Sequence, residues 1–312
     1  MTDPRPVRSW GFWMLLLGIP LAIFVAMRFV NSTDAPAANH ASTVVNAQAD
    51  STKTETEPLV RQTEPKPEPT EFSTADTTLP PKELRVKVLK KHPHESNAFT
   101  QGLLWHDGKF YESTGTYGGS SLRSVDVETG KVERHTQLPS WIFAEGLAIH
   151  SERLTQLTWK SGKAYVWRLN DFAKIKEFDY PGEGWGLCAL GDRFVMSDGS
   201  DSLRILNPDT FEIERRVTVH AGDQRLRNLN ELECVDGFVY ANVWQTNSIL
   251  RIDPSNGRVD AIVDASRLLT ADEASRADVL NGIAYRPTDG HYFLTGKFWP
   301  WVFEVQFVPA ND

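Results

Sequence analysis

The chain has 312 residues, 40% of them hydrophobic and 11% aromatic, which supplies a sizeable buried core and leaves room for a stretch without one. A formal net charge of −8 excludes a protein that grips nucleic acid through electrostatics. Two cysteines are too few for a disulfide framework or a cysteine-based metal centre.

Residues 10–27 (WGFWMLLLGIPLAIFVAM) carry no charge and are just long enough to cross a hydrocarbon core as a helix. Arg5 and Arg8 precede them, the arrangement that keeps an N-terminus cytoplasmic and exports the downstream chain. The sequence therefore predicts a signal anchor over 1–30, a single pass of the inner membrane with the body in the periplasm. A weak small-residue stretch at 34–38 keeps open the alternative of secretion after signal cleavage. Residues 31–83 turn to Thr, Ala, Pro, Glu and Lys and have almost nothing large and apolar to bury, so they are predicted to form a disordered linker.

From Leu84 onward the pattern is β. One phrase recurs five times: Phe99-Thr100-Gln101-Gly102-Leu103, Phe143-Ala144-Glu145-Gly146-Leu147, Glu183-Gly184-Trp185-Gly186-Leu187, Asn228-Leu229-Asn230-Glu231-Leu232 and Val279-Leu280-Asn281-Gly282-Ile283. The copies are about 40 to 50 residues apart, the length of a four-stranded propeller blade. Turn dipeptides such as Asp107-Gly108, Gly191-Asp192 and Asp236-Gly237 fall where hairpins are needed between them. The last repeat ends on its third strand at 301–307, whereas 84–90 alternates strictly and has no repeat of its own. The prediction is an all-β, five-bladed β-propeller over 84–308, its ring closed by strand 84–90 completing the last blade. Closure of this kind removes an unpaired sheet edge. The insertion 266–277 is expected to be one short helix or a loop.

His92 and His94 are read as solvated residues of a turn after the closing strand. Cys188 and Cys234 fall on opposite faces of neighbouring strands, so two buried thiols are expected, a bridge being open but disfavoured.

In a propeller the first strands line the central channel, so the middle residues of the phrases, Gln101, Glu145, Trp185, Asn230 and Asn281, are predicted to share one rim. The second strands add Glu112, Trp159, Asp198, Asn242, Trp244 and Lys297. Polar groups in a wet channel usually serve backbone and water, and tryptophans usually pack. What favours a site is convergence: indoles, a carboxylate and an ammonium recur at equivalent places, the composition of a ligand cavity. The patterns of zinc proteases, serine hydrolases and phosphate loops are absent, and Glu145 is the candidate for proton transfer.

Across about 92–307 the sequence resembles the β-propeller glutaminyl-peptide cyclotransferases (glutaminyl cyclases) of plants and bacteria. The resemblance rests on the first phrase together with Glu112-Ser113-Thr114-Gly115, Leu157-Thr158-Trp159, Tyr180-Pro181-Gly182-Glu183-Gly184-Trp185, Met196-Ser197-Asp198-Gly199-Ser200, Leu229-Asn230-Glu231, Ala241-Asn242-Val243-Trp244 and Thr295-Gly296-Lys297-Phe298-Trp299. It implies conversion of the N-terminal glutamine of peptides or proteins to pyroglutamate with release of ammonia, without a catalytic metal. It matches Glu145 to the acid/base, Trp159, Trp185 and Trp244 with Phe99 and Phe143 to an aromatic pocket, and Gln101, Asn230 and Lys297 to orienting groups. It also implies a structural calcium in the channel, with ligands unknown. Two competing readings are a non-catalytic periplasmic propeller that binds peptides, and a calcium-dependent propeller lactonase. The lactonase needs carboxylates such as Glu112, Asp198 and Glu231 to converge with Glu145 on one ion.

Overall fold

The computed structural model describes residues 79–311. The expected anchor and most of the expected linker lie outside the described residues. Among those described, no helix is long and apolar enough to cross a membrane.

Every long element is a strand. A leading strand β1 (Lys82–Pro93) begins two residues before the expected start of the fold. It is followed by β2 (Thr100–His106), β3 (Lys109–Thr114), β4 (Ser121–Asp126) and β5 (Val132–Gln137), then β6 (Ala144–His150), β7 (Arg153–Thr158), β8 (Lys163–Arg168) and β9 (Lys174–Asp179). Next come β10 (Leu187–Leu190), β11 (Arg193–Met196), β12 (Ser202–Leu206) and β13 (Ile213–Thr218), and the small hairpin β14 (His220–Ala221) and β15 (Gln224–Arg225). The chain continues through β16 (Leu229–Val235), β17 (Phe238–Val243), β18 (Ser248–Ile252) and β19 (Val259–Asp264). It ends with helix α1 (Ala271–Ala274), β20 (Leu280–Arg286), β21 (His291–Gly296) and β22 (Trp301–Pro309).

β2–β5, β6–β9 and β10–β13 are four-stranded antiparallel meanders. The hairpins turn as the dipeptides require: Asp107 and Gly108 between β2 and β3, Gly191 between β10 and β11, and Asp236 and Gly237 between β16 and β17 all take positive φ. The remaining long strands form one eight-stranded sheet in the order β16-β17-β18-β19-β1-β22-β21-β20. β1 pairs antiparallel with β22 along nearly its whole length, so the leading strand does supply the outer strand missing from the last repeat. It also pairs in parallel with β19 through Lys82 to Arg85, a junction the repeat pattern gave no hint of.

The architecture is all-β and propeller-like. The leading strands of the repeats neighbour one another in a cycle: β2 beside β6, β6 beside β10, β10 beside β16, β16 beside β20, and β20 back to β2. Apolar clusters fill the gaps between successive four-stranded units. Leu122, Leu147 and Leu154 pack between the first two, and Leu157, Leu187 and Phe194 between the next. Phe110, Phe293 and Val302 join the last unit to the first.

The closing strand is held by side chains as well as by its ladder. His92, only 1% exposed, sets Nε2 2.8 Å from Glu304 on β22, and Arg286 and His291 engage the same carboxylate. His94 comes just after β1. Its Nδ1 lies 2.7 Å from the Trp299 carbonyl and its Nε2 2.9 Å from the Glu112 carboxylate on β3. Both ring nitrogens therefore face acceptors, and the arrangement suits an imidazolium. Although burial works against the charged ring, the Glu112 carboxylate and these hydrogen bonds raise the His94 pKa overall. The expectation of solvated histidines is thus overturned for both. A turn in sequence is not a turn in water when two sheets close over it.

Cys188 on β10 and Cys234 on β16 form a disulfide, their Cα atoms 5.5 Å apart, and among the described residues no cysteine is free. The expectation of two thiols fails for a geometrical reason. Opposite faces are remote within one sheet, but β10 and β16 lead two stacked units, where opposite faces are the ones that meet.

Candidate active site

Four of the five repeated phrases are β-bulges. In β2, β6, β16 and β20 the pairing with the next strand slips by one residue at the phrase, between Thr100 and Gly102, Ala144 and Leu147, Leu229 and Leu232, and Leu280 and Ile283. A bulge takes its extra residue out of the ladder and re-aims its side chain. Gln101, Glu145 and Asn230 are bulge residues that reach one cavity by this device.

The phrase glycines explain how the bulges crowd together. A Cβ on Gly102 would lie 2.7 Å from the Leu147 nitrogen, one on Gly146 would lie 2.5 Å from the Leu187 nitrogen, and one on Gly186 would lie 2.1 Å from the Asn230 carbonyl. Each glycine lets the next phrase come that close. The fourth phrase carries Glu231 in this slot. Its carboxylate accepts from the Ile283 nitrogen at 2.8 Å and from the Leu103 nitrogen at 3.3 Å, tying three leading strands together. Burial pushes the Glu231 carboxyl up to about 8.

The cavity holds about 360 Å³ and is lined by Phe99, Gln101, Phe143, Glu145, Trp159, Trp185, Asn230, Trp244, Gln245, Asp278, Val279 and Lys297. All nine residues that the family resemblance matches to a site are there. Phe99 and Phe143 come just before their leading strands, and Trp159, Trp244 and Lys297 just after the second strands. Three backbone bonds of one kind hold these last three: Trp159 N donates to Phe143 O, Trp244 N to Asn228 O and Lys297 N to Val279 O. Trp185 precedes β10 rather than lying in a strand. Its ring rests on Gly199, where an added Cβ would come within 2.7 Å of the indole and where φ is +78°.

Four expected contributors are elsewhere, among them Asn242, whose Oδ1 accepts from the Gly282 nitrogen at 2.9 Å. Asn281 is fully buried and spends its amide nitrogen on Thr100 O and Gln101 Oε1, so it steadies a cavity residue without lining the cavity; its Oδ1 has no partner among the described residues. Glu112 is taken by His94 and Thr100, and Asp198 by Arg204 and Ser200. Glu112, Asp198 and Glu145 therefore do not gather around one ion. Among the described residues one group, Asp289, His291 and Glu304, has metal-ligand spacing, and Arg286 already pairs with both of its acids.

Glu145 is 4% exposed, and among the described residues its carboxyl makes no hydrogen bond. Burial, followed by the attraction of Lys297 and the repulsion of Glu183, leaves its pKa well above the carboxylate range. Lys297, 5% exposed, is pushed down by burial against the pull of Glu145 and Asp278, and its Nζ lies 4.5 Å from the centre of the Phe99 ring. The aromatic wall runs edge to face from Phe298 through Phe99 and Phe143 to Trp159, and separately from Trp185 to Trp244. Sequence reasoning missed Glu183, Gln245, Asp278 and Val279. Glu183 and Val279 stand at the same place in their phrases as Phe99 and Phe143, a signal the alignment on middle residues passed over.

A buried acid of raised pKa under an aromatic cup, with one ammonium beside it, can take a proton from a neutral nitrogen and return it to a leaving group. The comparisons with known proteins point to one family. The family model described as glutamine cyclotransferase matches residues 65–307. A glutaminyl-peptide cyclotransferase of Arabidopsis thaliana is 37% identical over 231 residues, 72% of this chain and 72% of its own. The crystal structure of Myxococcus xanthus glutaminyl cyclase superposes with a TM-score of 0.68 at 40% identity, over 74% of this chain and 99% of the other. The chain belongs to the glutamine cyclotransferase family.

Proposed function

We propose that the protein is a glutaminyl-peptide cyclotransferase in which Glu145 is both base and acid. The substrate is the N-terminal glutamine of a peptide or protein, its side chain folded back inside the aromatic cup. The neutral α-amine nitrogen attacks the γ-carbonyl carbon, forming the ring C–N bond. Glu145 takes the proton released by that nitrogen and gives it to the side-chain NH2 as its C–N bond breaks, so ammonia leaves and pyroglutamate remains. The observation that carries the reading is that the buried Glu145 carboxyl has no hydrogen-bond partner among the described residues and only the charge of Lys297 to attract it.

Lys297 and Asn230 stabilise the oxyanion that builds on the γ-carbonyl, and Gln101, steadied by Asn281, holds the substrate amide. Trp159, Trp185, Trp244, Phe99 and Phe143 exclude water and keep the amine within reach of the carbonyl. The scaffold is a five-bladed propeller, supported by the cyclic adjacency of the leading strands and by β1 completing the last blade. A density map with any other number of radial sheets would end that description. A structural calcium would draw on Glu231 and Glu233, carboxyls near enough that the charge of Glu231 opposes ionisation of Glu233, and oxygen donors of the kind calcium takes. No step of the chemistry runs through it.

One assay tests the reaction. Purified protein should release ammonia from Gln-initiated peptides, and Glu145→Gln should lose about 10²- to 10⁴-fold in rate. A chelator should lower the melting temperature and leave the rate alone. Near-normal turnover by Glu145→Gln would remove the assigned role, and loss of rate in the chelator would favour a metal-dependent hydrolase.

A further inference from the structure

The wall of the cup has a break between Trp159 and Trp185, which come from different four-stranded units and belong to two separate edge-to-face series of rings. One carboxylate oxygen spans the break. Glu183 Oε2 accepts from Trp159 Nε1 at 2.7 Å and from Trp185 Nε1 at 3.0 Å. The other oxygen, Oε1, lies 3.8 Å from Lys160 Nζ, and that ammonium sits 3.9 Å from the centre of the Trp159 ring, so Lys160 closes the set from outside. An acceptor oxygen shared by two indole N–H groups fixes the distance and tilt between the rings. Hydrogen bonds to an ionised acceptor are also stronger than those between neutral groups.

We propose that Glu183 is the positioning residue that sets the spacing of Trp159 and Trp185, and with it the fit of the cup to a folded glutamine side chain. The inference rests on the proposed reaction. A plain surface acid would make neither indole bond, and an acid that served only the fold would not be bonded to two cavity walls at once. Glu183 has a second effect through space. Its negative charge opposes ionisation of Glu145 and so helps to keep that carboxyl protonated to higher pH. Lys160 tempers this influence without removing it.

The test uses the intact protein with Glu183→Ala and Glu183→Gln. The amide oxygen of the glutamine variant can still accept from both indoles but carries no charge. Glu183→Ala removes both indole hydrogen bonds and should raise KM for a Gln-initiated peptide at least about tenfold, since one charge-assisted hydrogen bond alone is worth that much. Glu183→Gln should keep KM within about threefold of the parent. In both variants the acid limb of kcat/KM should move to lower pH. Spectra of indole-labelled protein supply a readout that needs no substrate: the Trp159 and Trp185 Nε1–H resonances should shift in Glu183→Ala. Unmoved indole resonances, or an unchanged KM and acid limb in an active background, overturn the clamp. A parent protein that releases no ammonia overturns the reaction and the cup's role with it.

Discussion

At the residue scale the site depends on a conflict of burial and charge. Both Glu145 and Lys297 are driven toward neutrality by burial, and each is held back by the other. A base must be ionised to accept a proton, and the Glu145 pKa is raised. Activity should therefore rise with pH through a limb above the ordinary carboxylate range, measurable as kcat/KM against pH. Gly199 makes a different demand. With φ at +78° and the Trp185 ring against its α-carbon, Gly199→Ala puts a methyl into the indole and strains the backbone. The expected outcome is a rise in KM of several-fold and a loss of about 1–3 kcal/mol of stability, read by kinetics and thermal melting. A wild-type KM in that variant would mean that Trp185 does not bear on substrate.

At the element scale the repeated phrase is legible as a bulge only after the structure is known, yet each residue in it has a visible job. The middle residue is lifted from the ladder, the glycine admits the next phrase, and the aliphatic residue two places on enters the core, as Leu103, Leu147 and Leu187 do. Because the bulges abut, the leading strands need lateral restraint, and the Cys188–Cys234 bridge supplies it between β10 and β16. The bridge spans 46 residues of chain, a loop for which the chain-entropy model gives about 4 kcal/mol. The paired Cys188→Ser, Cys234→Ser variant should melt roughly 10 °C lower. Unchanged melting in oxidising buffer would show that the bridge restrains nothing.

At the scale of the whole molecule the decisive element is β1, which joins the chain's beginning to its end. His92 ties it to β22, and His94 ties the segment after it to β3. The His94 pKa is higher folded than unfolded, so its contribution is complete below about 6.5 and is lost as pH rises through the folded value. His94→Gln should lower stability by about 3 kcal/mol under acidic conditions and by less at alkaline pH. Melting temperatures across that pH range check the sign, and a deficit that grows toward high pH would contradict it.

The sequence by itself determined the repeat, the strand class, the hairpin turns, the closing strand and nine of the residues around the cavity. All but Phe99 and Phe143, which only the family resemblance supplied, come from period, alternation and turn chemistry, which act over a few residues and are written locally. It misjudged Cys188, Cys234, His92 and His94, whose surroundings are made by strands distant in the chain. Only the tertiary structure decided that Asn281 and Glu112 serve the scaffold, that Glu183 joins two walls of the cup, and that Glu231 fills a glycine's place at the centre. The physical reason is that which face meets which, and which charge loses its water, depends on how whole sheets stack around the axis.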